Sequence, residues 1–199
     1  MDTQVSEYTL VLLRWIHIFF GVIWIGHLYF FNFVNVPFQA VLAKELKSQV
    51  NPQLLHRALW WFRWGAMITF LIGWTLFLYK YGHLKLWNDQ NRSIWILIGG
   101  ILGTIMWFNV WFVIWPAQRQ ILGWVKAGQA PAEMPALAKR ALLFSRTNTW
   151  LSGPMLVGMI MPNNGGTFEI MKLLILSAVS LFFVYGMIKM SSKVGMPPA

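Results

Sequence analysis

Hydrophobic positions along this chain fall into five long runs separated by short polar stretches. Each run reaches the roughly 20 residues that a bilayer-spanning helix requires. They cover about 9–36, 59–82, 93–116, 140–162 and 169–190. The pattern predicts an all-α integral membrane bundle of about five transmembrane helices, a single multi-pass domain over residues 1–199. The fourth run is the most polar, because SRTNTWLSGP lies in its middle and Pro154 is placed to kink it. Between the runs, residues 37–57 and 117–139 mix apolar and basic positions at helical spacing. Ile121, Leu122, Trp124 and Val125 beside Arg119 and Lys126 read either as a short helix lying on the headgroups or as an ordinary polar loop.

Composition strengthens the membrane assignment. Only 11% of residues are charged, against roughly 25% in a soluble domain. The formal net charge of +10 raises nucleic acid as a partner, but the basic residues are scattered through loops rather than gathered on one face. Topology explains them better. On the N-terminal side fall Arg14, Lys80, Lys85, Arg92 and Lys172, and on the other Lys44, Lys47, Arg57, Arg119, Lys126, Lys139, Arg140, Lys189 and Lys193. The larger share marks the cytoplasmic side, so the N-terminus is expected outside and the C-terminus in the cytoplasm. The acidic start MDTQVSEYTL is unlike a cleaved signal, so the first span is expected to stay in the mature protein. The absence of Cys excludes disulfides, iron–sulfur clusters, thiolate zinc sites and covalent haem attachment within the chain.

The spans also hold polar residues that a bilayer does not tolerate without partners. The first carries Arg14, His17, His27, Asn32 and Asn35. With a rise of about 1.5 Å per residue, His17 and His27 lie roughly 7–8 Å on either side of that span's centre. The same arithmetic puts Arg63, Asn109, Arg146 and Asn148 in the half of the bilayer that holds His27 and Asn32. No Asp or Glu lies inside a span to pair with Arg63 and Arg146. Two such cations invite a ligand anion, either a haem propionate, a lipid headgroup or an anionic substrate, unless they snorkel to the interface or cap carbonyls of the fourth span.

His17 shares a stripe with Gly21, Trp24, Leu28, Phe31 and Asn35. A histidine followed one turn later by glycine leaves room for a flat macrocycle, so His17 is a candidate metal ligand with Gly21 and Trp24 shaping the pocket. His27 points about 80° away and lies about 15 Å along the axis, so the two cannot ligate one iron. Pairings of His17 with His83, or of His27 with His56, stay open, as does methionine as a second ligand or a structural role for each histidine. The GGILG run at 99–103 reads as a close-packing surface. Paired carboxylates, a GxSxG elbow, a Walker loop and a duplicated transporter half are all missing from the sequence.

The stretches RWIHIFFGVIWIG, YFFNFVNVPF, ALWWFRWGAMITFLIG, WFNVWFVIWPAQRQIL and SRTNTWLSGPML together resemble the membrane domain of the bacterial cytochrome c-linked urate oxidase family, over roughly residues 10–162. More loosely, the first resembles the opening helix of HemJ-type protoporphyrinogen oxidases and CopD-like proteins, in which a membrane histidine binds haem b. The resemblance implies a multi-pass protein of the bacterial cytoplasmic (inner) membrane that hands electrons to a cytochrome c, with haem b on His17. Beside it, the stripe and the polar convergence make Gly21, Trp24, His27, Arg63, Asn109, Arg146 and Asn148 the candidate cofactor contacts, with Arg63 and Arg146 placed to hold an anion. The sequence lacks the Cys-x-x-Cys-His tail of the full-length pattern, so its electrons are expected to leave through a separate cytochrome c or another subunit. The competing reading is a non-catalytic accessory subunit of a larger respiratory, photosynthetic or oxygenase complex.

Overall fold

The computed structural model describes residues 3–84, 92–164 and 167–195. The described residues are mostly helical, without a strand. Lys85, counted above among the N-terminal-side charges, lies outside them. The helices are α1 (Thr3–Tyr29), α2 (Val36–Val41), α3 (Lys44–Phe77), α4 (Arg92–Phe108), α5 (Trp115–Lys126), α6 (Met134–Asn164) and α7 (Ile170–Ser191).

Several of these are pieces of longer rods. The widened i→i+5 turn Phe30–Asn35 joins α1 to α2, and Asn109–Ile114 joins α4 to α5. A third such turn, Leu78–His83, extends α3. The first two stand immediately ahead of Pro37 and Pro116. Proline lacks an N–H and its ring clashes with the carbonyl four residues back. A π turn at that point relieves the clash while the chain stays helical. The chain reverses at Leu42–Ala43, where both residues are extended. That corner is held by Gln39 Nε2 donating to Asn51 Oδ1 at 2.7 Å and Asn51 Nδ2 donating to Gln39 Oε1 at 3.1 Å.

Among the described residues, four rods are long and apolar enough to cross a membrane: Gln4–Val41, Glu45–His83, Arg92–Lys126 and Ile170–Ser191. The fifth expected span is α6, a 31-residue helix that runs unbroken through Pro154. Its polarity has a structural cause, because α6 is the inner helix. It packs on α4 and α7 and also meets α1 and α5, which buries Ser145, Asn148, Thr149 and Ser152 against protein.

Glycine sets the closest of these contacts. A Cβ on Gly158 would stand 2.8 Å from the backbone nitrogen of Gly99 and 2.9 Å from its Cα. Of the GGILG run, Gly99 is the close-packing position its small residues suggested, while nothing stands within 4 Å of a Cβ on Gly103. On the other side α1 lies along α3, where a Cβ on Gly65 would stand 3.1 Å from the backbone nitrogen of Trp24. The core between the two halves is built from Trp24, Leu28, Phe62, Ala66, Met106, Val110 and Met155 among others.

The segment expected either as a helix on the headgroups or as a polar loop is helical over 115–126. Residues 115–126 continue the third span, and Ala117, Ile121 and Leu122 are buried there. Their helical spacing gives α5 an apolar edge that α3 and α6 cover.

Candidate functional site

The buried polar face of α6 comprises Ser145, Asn148, Thr149 and Ser152, whose spacing of three and four residues puts them on one side of the helix. Asn109 Nδ2 donates to Asn148 Oδ1 at 2.8 Å, and Asn148 Nδ2 donates to the Met106 carbonyl at 2.9 Å. Asn32 Nδ2 donates to Ser145 Oγ at 2.8 Å and to the Leu28 carbonyl at 2.9 Å. The Tyr29 and Ser152 hydroxyls lie 3.0 Å apart. Asn32 and Asn109 both sit in π turns. The inner-half cluster is thus partly real, since Asn109, Asn148 and Asn32 meet one face of α6. Asn109 and Asn148 are spent on each other and on backbone, whereas Asn32 gives its amide to Ser145 and to the Leu28 carbonyl and keeps a buried Oδ1 without a hydrogen-bond partner. Arg146, on the same helix, has a buried NH1 without a hydrogen-bond partner.

His17 sits in the seam between α1 and α3. Its Nδ1 lies 3.0 Å from the Thr69 carbonyl. A carbonyl only accepts, so Nδ1 carries the proton and, in the neutral ring, Nε2 is the acceptor. The ring rests on Gly73, where a Cβ would come within 2.7 Å of Cε1. The stripe below it is also packed onto protein. Gly21 faces the Thr69 methyl, 3.8 Å from where a Cβ would stand, and Trp24 and Leu28 are buried. The face read as open to a macrocycle is therefore largely the α1–α3 contact. A glycine one turn after a histidine admits a neighbouring helix as readily as a ring, and sequence alone does not separate the two.

His27 lies on a different face. Its Nδ1 is 2.7 Å from the Ile23 carbonyl one turn earlier, which again places the proton on Nδ1 and leaves Nε2 as the acceptor. It lines an open groove of about 510 Å³ with Val22, Ile23, Gly26, Phe30, Leu54, Arg57, Ala58 and Trp61. Nothing stands within 4 Å of where a Cβ on Gly26 would be. Ligand pockets span roughly 300–1,000 Å³, and this volume falls inside that range. A smaller cavity of about 80 Å³ lies between Phe31, Asn35, Leu59, Gln118 and Ser145. Of the other histidines, His83 stacks on Tyr79 and His56 is exposed.

Arg63 belongs to neither site. Its guanidinium carbon lies 4.0 Å from the ring centroid of Trp115, 5.2 Å from Trp111 and 5.5 Å from Trp64. Trp111 Nε1 donates to the Arg63 carbonyl at 3.2 Å. Residues 57, 58 and 61 of α3 face the His27 groove, whereas 63 faces the rod formed by α4 and α5. The inner-half polar residues accordingly split three ways: the asparagines on α6, His27 beside Arg57, and Arg63 among tryptophans. Trp61, Arg57 and Gly26 at the groove, and the three tryptophans at Arg63, were missed from sequence. The signal available was the run WWFRW at 60–64 with the i, i+4 pair Trp111 and Trp115.

The family model described as urate oxidase N-terminal matches residues 79–190, more than half of the chain. The match includes Asn109, Arg146 and Asn148 and ends short of α1, so His17 and His27 lie outside it. Neither a curated protein nor a solved structure matches the chain.

Proposed function

Because the chain belongs to the urate oxidase N-terminal family, we propose that it is a membrane-embedded haem b-binding redox subunit that passes electrons to a separate cytochrome c or partner. A bound haem b supplies a one-electron carrier inside the bilayer. The observation that carries this reading is the groove at His27, which combines a histidine of fixed tautomer, a cation and apolar walls.

The residues fit the group. A metal-ligating histidine ordinarily donates its other ring nitrogen to a carbonyl or carboxylate, which orients the ring and raises its basicity. The Ile23 carbonyl does this for His27. Arg57, also in the lining, offers a guanidinium suited to a propionate, and Phe30, Trp61, Val22 and Leu54 provide the apolar surround. The bare backbone at Gly26 lets a flat ligand approach α1. His17 meets the same tautomer condition through Thr69, but its ring is packed against α3. Between the two, His27 is assigned as the iron ligand, and His17 as the residue that locks α1 onto α3.

Purified protein examined by absorption spectroscopy and pyridine haemochrome assay tests this directly. A b-type Soret band is expected, lost in His27→Ala and retained in His17→Ala. A native preparation without haem would remove the proposal. Loss of haem in His17→Ala with retention in His27→Ala would move the ligand to the outer histidine.

A further inference from the structure

Arg63 on α3 and Arg119 on α5 are two cations without a carboxylate partner among the described residues. Arg63 Nε is buried and makes no hydrogen bond. The exposed Arg119 lies one turn beyond Trp115 on the same side of α5, and the Trp115 ring centroid is 4.0 Å from the Arg63 guanidinium carbon. Like charges brought together at a low-dielectric boundary repel. The three indole faces offset part of this, each attracting the guanidinium by its quadrupole. They supply no hydrogen-bond acceptor for its N–H groups.

The level of the pair in the bundle identifies the missing group. The rods Glu45–His83 and Arg92–Lys126 have 39 and 35 residues, or about 50–60 Å, well beyond a hydrocarbon thickness of about 30 Å. Each must therefore emerge from the bilayer. On the first rod the apolar run begins near residue 59, which puts Arg63 roughly 6 Å inside it. On the second the run ends near Pro116, which puts Arg119 roughly 5 Å beyond. An arginine side chain reaches outward, which carries the Arg63 guanidinium toward the level of Arg119, at the boundary between acyl chains and headgroups. Trp60, Trp61 and Trp64, all substantially exposed, mark the same level as an aromatic belt does.

We propose that Arg63 and Arg119, shelved on Trp64, Trp111 and Trp115, bind the phosphate of an anionic phospholipid. Guanidinium pairs suit phosphate oxygens because their planar forks donate two hydrogen bonds at once. Two positive charges without a protein carboxylate favour a lipid of net negative charge over a zwitterionic one. The indole faces fix the Arg63 plane in advance, which lowers the ordering entropy of binding.

Native mass spectrometry of the detergent-solubilised full chain, titrated with dioleoylphosphatidylglycerol or dioleoylphosphatidylcholine, tests the site. Wild type should retain the anionic lipid at least tenfold better than the zwitterionic one. Arg119→Gln, an exposed helical change that leaves the fold intact, should reduce that retention severalfold, and Arg63→Gln with Arg119→Gln should abolish the preference. Arg140→Gln, which removes a charge elsewhere, should leave it unchanged. Equal retention of both lipids by wild type, or an unaltered preference in the double variant, would overturn the proposal. So would displacement of the lipid by inorganic phosphate at the same concentration, which would assign the site to a soluble anion. Haem content measured on the same samples should not change. If it fell with the lipid, the guanidinia would be holding a propionate instead.

Discussion

The carboxamide of Asn109 donates to that of Asn148 at 2.8 Å, tying the π turn of the third span to the inner helix of the bundle. Asn148 is fully buried and spends its own amide on the Met106 carbonyl, so one side chain holds two groups of the neighbouring rod. Hydrogen bonds between membrane helices average only about 0.6 kcal/mol. Stranding a buried donor is worse, at about 1–3 kcal/mol. Asn148→Leu should therefore destabilise the bundle by about 1–3 kcal/mol, seen as a lower Tm in mild detergent. Asn109→Leu combined with Asn148→Leu should lose less than the two single changes summed. Strict additivity would mean that the two carboxamides act independently.

At the α4–α6 crossing, steric rather than polar terms decide. The atoms nearest a Cβ on Gly158 are the Gly99 backbone nitrogen and Cα and the Trp95 carbonyl. Backbone cannot rotate away as a side chain end can. Overpacking ordinarily costs about 1–3 kcal/mol, while glycine-to-alanine inside a helix returns up to about 1 kcal/mol. Gly158→Ala should be net destabilising, with a Tm below wild type. A Tm equal to or above wild type would show that the two helices separate freely.

Much of this fold was legible in hydrophobic periodicity, because spanning helices need uninterrupted apolar length and the chain provides it. The limits of legibility are physical. The polar centre of α6 follows from which helix is innermost, and that depends on contacts such as Gly99 with Gly158 rather than on local composition. Likewise a helical wheel shows that His17, Gly21, Trp24 and Leu28 share a stripe without showing what meets it, and here α3 does. Depth along the axis grouped Arg63 with Asn109, yet azimuth separates them, since Arg63 turns to tryptophans and Asn109 to α6. The π turns were hidden because no simple residue preference encodes them, although Pro37 and Pro116 follow two of the three.

His17 and Gly73 are matched partners across the α1–α3 seam. An added methyl at residue 73 would press on Cε1 at 2.7 Å and Nδ1 at 3.0 Å, so the imidazole must leave the Thr69 carbonyl to make room. Gly73→Ala should reproduce the stability loss of His17→Ala, about 1 kcal/mol for one hydrogen bond with some lost packing. Combining the two should add little, because alanine at 17 vacates the contested space. Thermal unfolding of the three variants checks this. Independent, additive losses would mean that the ring does not occupy the position over Gly73.

Gly26 gives the complementary test, since the space beside it is empty. Leucine there starts from a Cβ that meets nothing within 4 Å and extends into the groove lined by His27, Arg57 and Trp61. Its helix propensity is better than that of glycine by about 0.5–1 kcal/mol, so Gly26→Leu should match or exceed wild type in Tm. The same side chain would occupy the space a macrocycle needs against α1, and haem content per protein should fall severalfold. The two readouts then move apart, which a merely damaged fold could not produce. Undiminished haem in a stable Gly26→Leu protein would show that the cofactor lies elsewhere, with His17 the next position to examine.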